Sequence, residues 1–105
     1  MALKLKDGNS IRDNKGNVYE NIYAVVDICN NDKKNKKAYF VVDIYKDENA
    51  RKNKYIPIIS NNFTVENPSY DLFFNLETNN NNNFKNAYLY ILSLNEYNDW
   101  QSDEL

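Results

Sequence analysis

Histidine is missing from this 105-residue chain, which also has one cysteine, two glycines and two prolines. Without histidine there is no Ser-His or Cys-His nucleophile pair and no imidazole metal ligand. Nor does any side chain titrate near neutrality by default. A lone Cys29 makes neither an internal disulfide nor a cysteine-rich zinc site, and it fits a reducing interior. Gly8 and Gly16 form neither a P-loop nor a dinucleotide fingerprint. Long apolar runs are lacking too; none approaches the roughly 20 residues that cross a bilayer. Met1 to Lys6 has no apolar segment of a secretory leader. The chain is therefore expected inside a cell, with no membrane partner, no cofactor, no metal and no enzymatic activity.

What is present is asparagine and tyrosine. There are 21 asparagines against one glutamine, and nine tyrosines. Asparagine with lysine, isoleucine and tyrosine is what an AT-rich genome supplies. Physically it suits turns, because its side chain bonds its own backbone and tolerates positive φ. Hydrophobic residues at 42% and charged residues at 27% match a globular chain, here one small domain over residues 1–105. The run Asn79 to Asn83 reads as a connector, and residues 98–105 as an acidic tail.

Tyr23-Ala24-Val25-Val26-Asp27-Ile28 is echoed sixteen residues later by Tyr39-Phe40-Val41-Val42-Asp43-Ile44. Both runs are β-branched and aromatic, and a lysine- and asparagine-rich loop separates them, which predicts a β-hairpin. Its register follows from parity. Pairing even-numbered residues with even ones collects Ile22, Ala24, Val26, Ile28, Phe40, Val42 and Ile44 on one dry face. A slip by one residue would bury a carboxylate. Tyr23, Tyr39, Tyr45, Asp27 and Asp43 then share the outer face.

Around this hairpin, Leu3 and Leu5 alternate with lysines as a short strand, and Asn14-Lys15-Gly16-Asn17 marks a turn. Glu48 to Arg51 reads as a helical turn. Tyr55-Ile56-Pro57-Ile58-Ile59 reads as a third strand, with Pro57 making it an edge and Phe63-Thr64-Val65 extending or returning it. Asn67-Pro68 opens a short helix through Leu72, Phe73 and Leu76. Phe84, Ala87, Tyr88, Ile91 and Leu94 fall at helical spacing behind Asn82 or Asn83 as cap, although Tyr88, Tyr90, Leu92 and Leu94 also fit an alternating strand. The expected fold class is α+β: an antiparallel meander sheet of three to four strands with C-terminal helices packed on one face.

Four tyrosines, Tyr23, Tyr39, Tyr45 and Tyr55, are the candidate protein-interface residues, since tyrosines interleaved with valines make an amphipathic patch. The competing reading has the C-terminal helix cover this face. Asp27 and Asp43 lie within diagonal reach, as a metal clasp or an acid/base pair would need. Nothing nearby supplies a third ligand or a nucleophile, so surface charges that discourage wrong strand pairing are the preferred reading. Cys29 has no activating neighbour and reads as an inert small residue. Residues 32–54 carry a net +4 and residues 66–105 a net −6. The basic loop Lys33, Lys34, Lys36 and Lys37 suits a nucleic-acid backbone, but the overall charge of −2 argues against that partner. Head-to-tail docking between copies is the preferred use of the asymmetry.

Tyr19-Glu20-Asn21-Ile22-Tyr23, the lysine loop with Ala38-Tyr39, and Ile44-Tyr45-Lys46-Asp47 together resemble a pattern in small virion proteins of tailed bacteriophages. So do Ala50-Arg51-Lys52-Asn53, the Pro57-Ile58 edge, Phe63-Thr64-Val65 and the closing Ala87-Tyr88-Leu89-Tyr90-Ile91-Leu92. The asparagine-heavy composition is similar to that of phages of Bacteroidetes, including the crAss-like group. The resemblance implies a non-enzymatic virion component, such as a capsid auxiliary, head-fibre, neck or tail protein. It would assemble in the host cytoplasm with capsid, portal or tail partners and with further copies of itself. The alternative is a small intracellular module that binds nucleic acid or a host protein through residues 33–37.

Overall fold

A long hairpin organises the chain. In the computed structural model, which describes residues 2–6, 8–12, 14–75 and 82–103, strand β4 (Tyr23–Asp32) pairs antiparallel with β5 (Lys37–Tyr45). Strand β1 (Ala2–Leu5) lies on the far side of β4, and β6 (Ile59–Val65) on the far side of β5. The fifth strand, β7 (Trp100–Asp103), pairs with β1, so the antiparallel order is β6-β5-β4-β1-β7. Between β1 and β4 the chain makes a separate ribbon, β2 (Ile11–Arg12) and β3 (Val18–Tyr19), whose turn uses Gly16 at φ +84°. Helix α1 (Glu48–Lys52) follows β5. Helices α2 (Ser69–Phe73) and α3 (Asn83–Leu92) follow β6, and a 3₁₀ turn (Asn95–Tyr97) leads to β7.

The even-to-even register holds for half of the hairpin. Tyr23 faces Tyr45, Ala24 faces Ile44, and Val26 faces Val42; then the register shifts, and Cys29 faces Phe40. Asp27 and Ile28 together oppose Val41, a β-bulge. Ile22, Ala24, Val26, Phe40, Val42 and Ile44 are buried as expected, but Ile28 is 60% exposed. Placing Ile28 on the dry face was therefore wrong. The bulge flips every later β4 side chain, and Cys29 and Asn31 turn inward in its place.

The core continues from this inner face. Phe40 stacks on Phe63 at 5.0 Å and on Phe74 at 6.1 Å, and meets the Tyr90 ring edge-on at 6.2 Å. Phe40 and Phe74, both fully buried, each contribute roughly 1.5–3 kcal/mol by burial. Helix α3 starts where its asparagines allow: the Asn82 side chain caps the Lys85 N–H at 3.0 Å. Ala87, Tyr88 and Ile91 enter the core, which settles the choice between helix and strand for this segment. The Tyr88 hydroxyl accepts the Val26 N–H at 2.9 Å, two residues past the last β1 pairing at Ala24. Among the described residues, no buried side-chain nitrogen or oxygen lacks a hydrogen-bond partner.

Other expectations change. The sheet has five strands, because residues 100–103 form β7 rather than an acidic tail, with Trp100 buried. Residues 104–105 lie outside the described residues. The third strand begins at Ile59, so Tyr55, Ile56 and Pro57 precede it. Pro68, not Asn67, takes the N-cap position of α2 and gives no side-chain cap bond, although Asn67 Oδ1 accepts the Asp71 N–H at 3.1 Å; α2 buries Tyr70 with Phe74 behind it, and leaves Leu72 out. Leu76 and residues 79–81 of the connector lie outside the described residues. The helices do not all come from the C-terminal third, since α1 sits between β5 and β6. The class is α+β.

Candidate interaction surface

The outer face of the sheet is built by the odd-numbered residues of β5 and their partners. From one end to the other its rows are Lys4-Tyr23-Tyr45, Val25-Asp43-Ser60, Val41-Asn62 and Asn30-Tyr39-Thr64. Helices α2 and α3 do not cover it. Their buried residues Tyr70, Ala87, Tyr88 and Ile91 join Val26, Phe40 and Val42 in the core on the other face. Helix α1 flanks the Tyr23 end, where Lys4 reaches Glu48 at 3.7 Å and sits 5.9 Å from the Tyr23 ring centre.

The four candidate tyrosines do not form one patch. Tyr23 and Tyr45 pair directly and are half-buried. Tyr39, 40% exposed, lies six residues along β5 from Tyr45, about 20 Å at the usual strand rise. Tyr55 is 58% exposed but precedes β6, its N–H held by the Ala50 carbonyl at 2.9 Å. Val25 and Val41, half-buried, and Ile28, lifted out by the bulge, fill the stretch between the tyrosines.

Polar groups sit at the centre of this surface. Asp43 is only 8% exposed and accepts from the Ser60 hydroxyl at 2.7 Å. It is therefore not the solvent-facing charge expected of it. Asp27 is exposed and in side-chain hydrogen-bond contact with Asp43. That bond, then partial burial, then the Asp43 charge hold the Asp27 carboxyl above its ordinary range, with Arg51 pulling the other way. Burial, followed by the charge of Asp43, also raises the Tyr45 hydroxyl. No group of three or more carboxylates or thiols placed to hold a metal occurs among the described residues.

The lysine loop meets acids of its own chain. Lys37 pairs with Glu66 at 3.4 Å and Lys36 with Asp71 at 4.0 Å, while Asp32 accepts from the Asn35 backbone and side chain. Those bonds from Asn35 lower the Asp32 carboxyl. The charge asymmetry is thus partly answered within one molecule, which weakens the case for head-to-tail docking. Cys29 is half-buried, its thiol 3.5 Å from the Asn83 carbonyl and raised by burial. An open polar cleft of about 650 Å³ lies beyond the Tyr23 end, between the β1–β2 loop and the start of α1.

Asn31 is the residue that sequence reasoning missed. Its amide donates to the Phe74 carbonyl at 2.9 Å and to Asn83 Oδ1 at 3.2 Å, and its oxygen accepts from the Tyr70 hydroxyl at 2.6 Å. One side chain thereby ties β4 to α2 and α3. Its only sequence signal is being one asparagine among 21.

Compared with family models, curated proteins and solved structures, the chain matches none of them. No helix among the described residues is long and apolar enough to cross a membrane.

Proposed function

We propose that this chain is a non-enzymatic structural component of a bacteriophage virion, of the capsid auxiliary, head-fibre, neck or tail kind. It works by protein–protein contact. The observation that carries the reading is the outer sheet face, where Val25, Val41, Ile28 and Tyr39 stay accessible while both C-terminal helices pack on the other side. Valines and an isoleucine set among aromatic, hydroxyl and amide neighbours are the composition of a contact surface. The phage-like pattern of residues 19–97 supplies the kind of particle, and the virion is the location it implies.

The test mixes purified protein with capsid, portal or tail proteins and reads mass and negative-stain images. The expected outcome is a stable complex that Tyr39→Ala with Val41→Ser weakens without unfolding the chain. Failure to associate with any particle component sinks the proposal. The alternative, nucleic-acid or host-protein binding through Lys33, Lys34, Lys36 and Lys37, takes second place because Glu66 and Asp71 already engage two of those lysines. RNA or DNA affinity that falls steeply with salt would reverse that order.

A further inference from the structure

Strand β6 ends the sheet, and β5 is its only substantial neighbour among the described residues. Edge strands are usually guarded by charge, by proline, by a bulge or by being short. β6 has none of these guards. It pairs with β5 over seven consecutive residues without a register shift, and Pro57 lies outside it. From Tyr55 to Val65 the chain carries no charged residue, in a sequence that is 27% charged. The opposite edge, β7, has four residues and ends on Asp103.

The strand is also complementary to itself. In an antiparallel pairing about a two-fold axis at Asn62, Ile59 faces Val65 of the second copy, Ser60 faces Thr64, Asn61 faces Phe63, and Asn62 faces Asn62. Apolar side chains meet apolar ones at the strand ends, and two hydroxyls meet across each 60–64 pair. The register preserves sidedness. Ile59, Phe63 and Val65 pack on the core in each copy, while exposed Ser60, Asn62 and Thr64 stay on the outer face. A slip by one residue would turn core side chains outward. Moving the axis to Asn61 sets Pro57 opposite Val65, and moving it to Phe63 sets Glu66 opposite Ser60.

We infer that β6 pairs with β6 of a second copy of this chain, joining two five-stranded sheets into one of ten strands with a continuous outer face. The inference deepens the assembly reading and rests on it for its role, but the pairing is testable by itself. Sedimentation of the full chain across roughly 10–500 µM, where weak interfaces are read, should show a monomer–dimer equilibrium. Asn62→Lys sets two like charges face to face and should abolish the dimer, as should Asn62→Asp. Mixing the two variants should restore it, an outcome that a general loss of fold would not give. Asn62→Cys should form a disulfide-linked dimer on oxidation, and Leu72→Cys, exposed on α2, should not. A monomer throughout, or a dimer indifferent to these changes, overturns the pairing. A monomer that still binds virion proteins overturns the pairing alone, whereas a β6-paired dimer that binds none overturns only the assembly reading.

Discussion

The Tyr70 hydroxyl donates to the Asn31 side-chain oxygen at 2.6 Å, and this bond couples the long hairpin to the segment that follows β6. Asn31 reaches that position because the bulge at Asp27 and Ile28 turns it inward, and its amide then holds the Phe74 carbonyl and the Asn83 side chain. Replacing it by Leu strands three polar groups at a part-buried site. Asn31→Leu should lower stability by about 2–4 kcal/mol, and Tyr70→Phe by about 1 kcal/mol. Urea unfolding of both variants and of the double variant checks this. The pair should depart from additivity, because Tyr70 has lost its acceptor once Asn31 is gone.

The hairpin was legible in the sequence because its two strands repeat one pattern and parity allows one dry register. Ala24, Val26, Val42 and Ile44 obey it. The placing of Tyr23 and Tyr45 on the outer face followed from the same logic, and the structure pairs them directly. The bulge was not legible, since an extra residue leaves no compositional mark when Ile28 looks as apolar as Val26. Strand β7 was hidden for another reason. Trp-Gln-Ser-Asp has little strand propensity, and it is recruited by the free edge of β1 and the burial of Trp100. Asn31 was hidden by abundance. Where asparagine is every fifth residue, its identity no longer distinguishes a turn from a buried junction.

The bulge can be tested directly. Had the even-numbered face continued, Ile28 would be a core residue, and Ile28→Ser would cost several kcal/mol. With Ile28 turned outward, the same substitution should change stability by less than about 0.5 kcal/mol. Val26→Ala, one step before the bulge, should cost about 1–3 kcal/mol. Thermal or urea unfolding separates the two, and a severe loss from Ile28→Ser would place that side chain back in the core.

The C-terminal strand makes a comparable contrast. β7 pairs with β1 from Trp100–Leu5 to Asp103–Ala2, and Trp100 packs beside Tyr97 with ring centres 5.8 Å apart. A disposable acidic tail would leave stability unchanged when removed. Ending the chain after Asn98 should instead destabilise it by more than about 3 kcal/mol, and Trp100→Ala alone should cause most of that loss. Amide exchange gives a second check, with protection across β1 falling in the shortened chain.

The carboxyl pair predicts how stability follows pH, and the sign can be worked out. Folding raises the Asp27 carboxyl above its unfolded value, chiefly through the hydrogen bond to Asp43. A raised carboxyl binds its proton more tightly in the folded state, so its stabilisation is complete below the unfolded value near 3.8. The stabilisation is lost as pH climbs through the raised value. Above it, the Asp27 carboxylate faces the Asp43 side chain, and Arg51 offsets part of that cost. Asp27→Asn puts an amide donor beside the Asp43 carboxyl, and that donor does not titrate. The variant should therefore be more stable than the parent at pH 7, by less than about 1 kcal/mol because Asp27 is solvent-screened. It should also lack the parent's loss of stability on moving up from pH 4. Melting curves collected from pH 4 to pH 7 for both proteins test this. A parent and variant whose difference stays constant over that range would show that folding does not raise the Asp27 carboxyl.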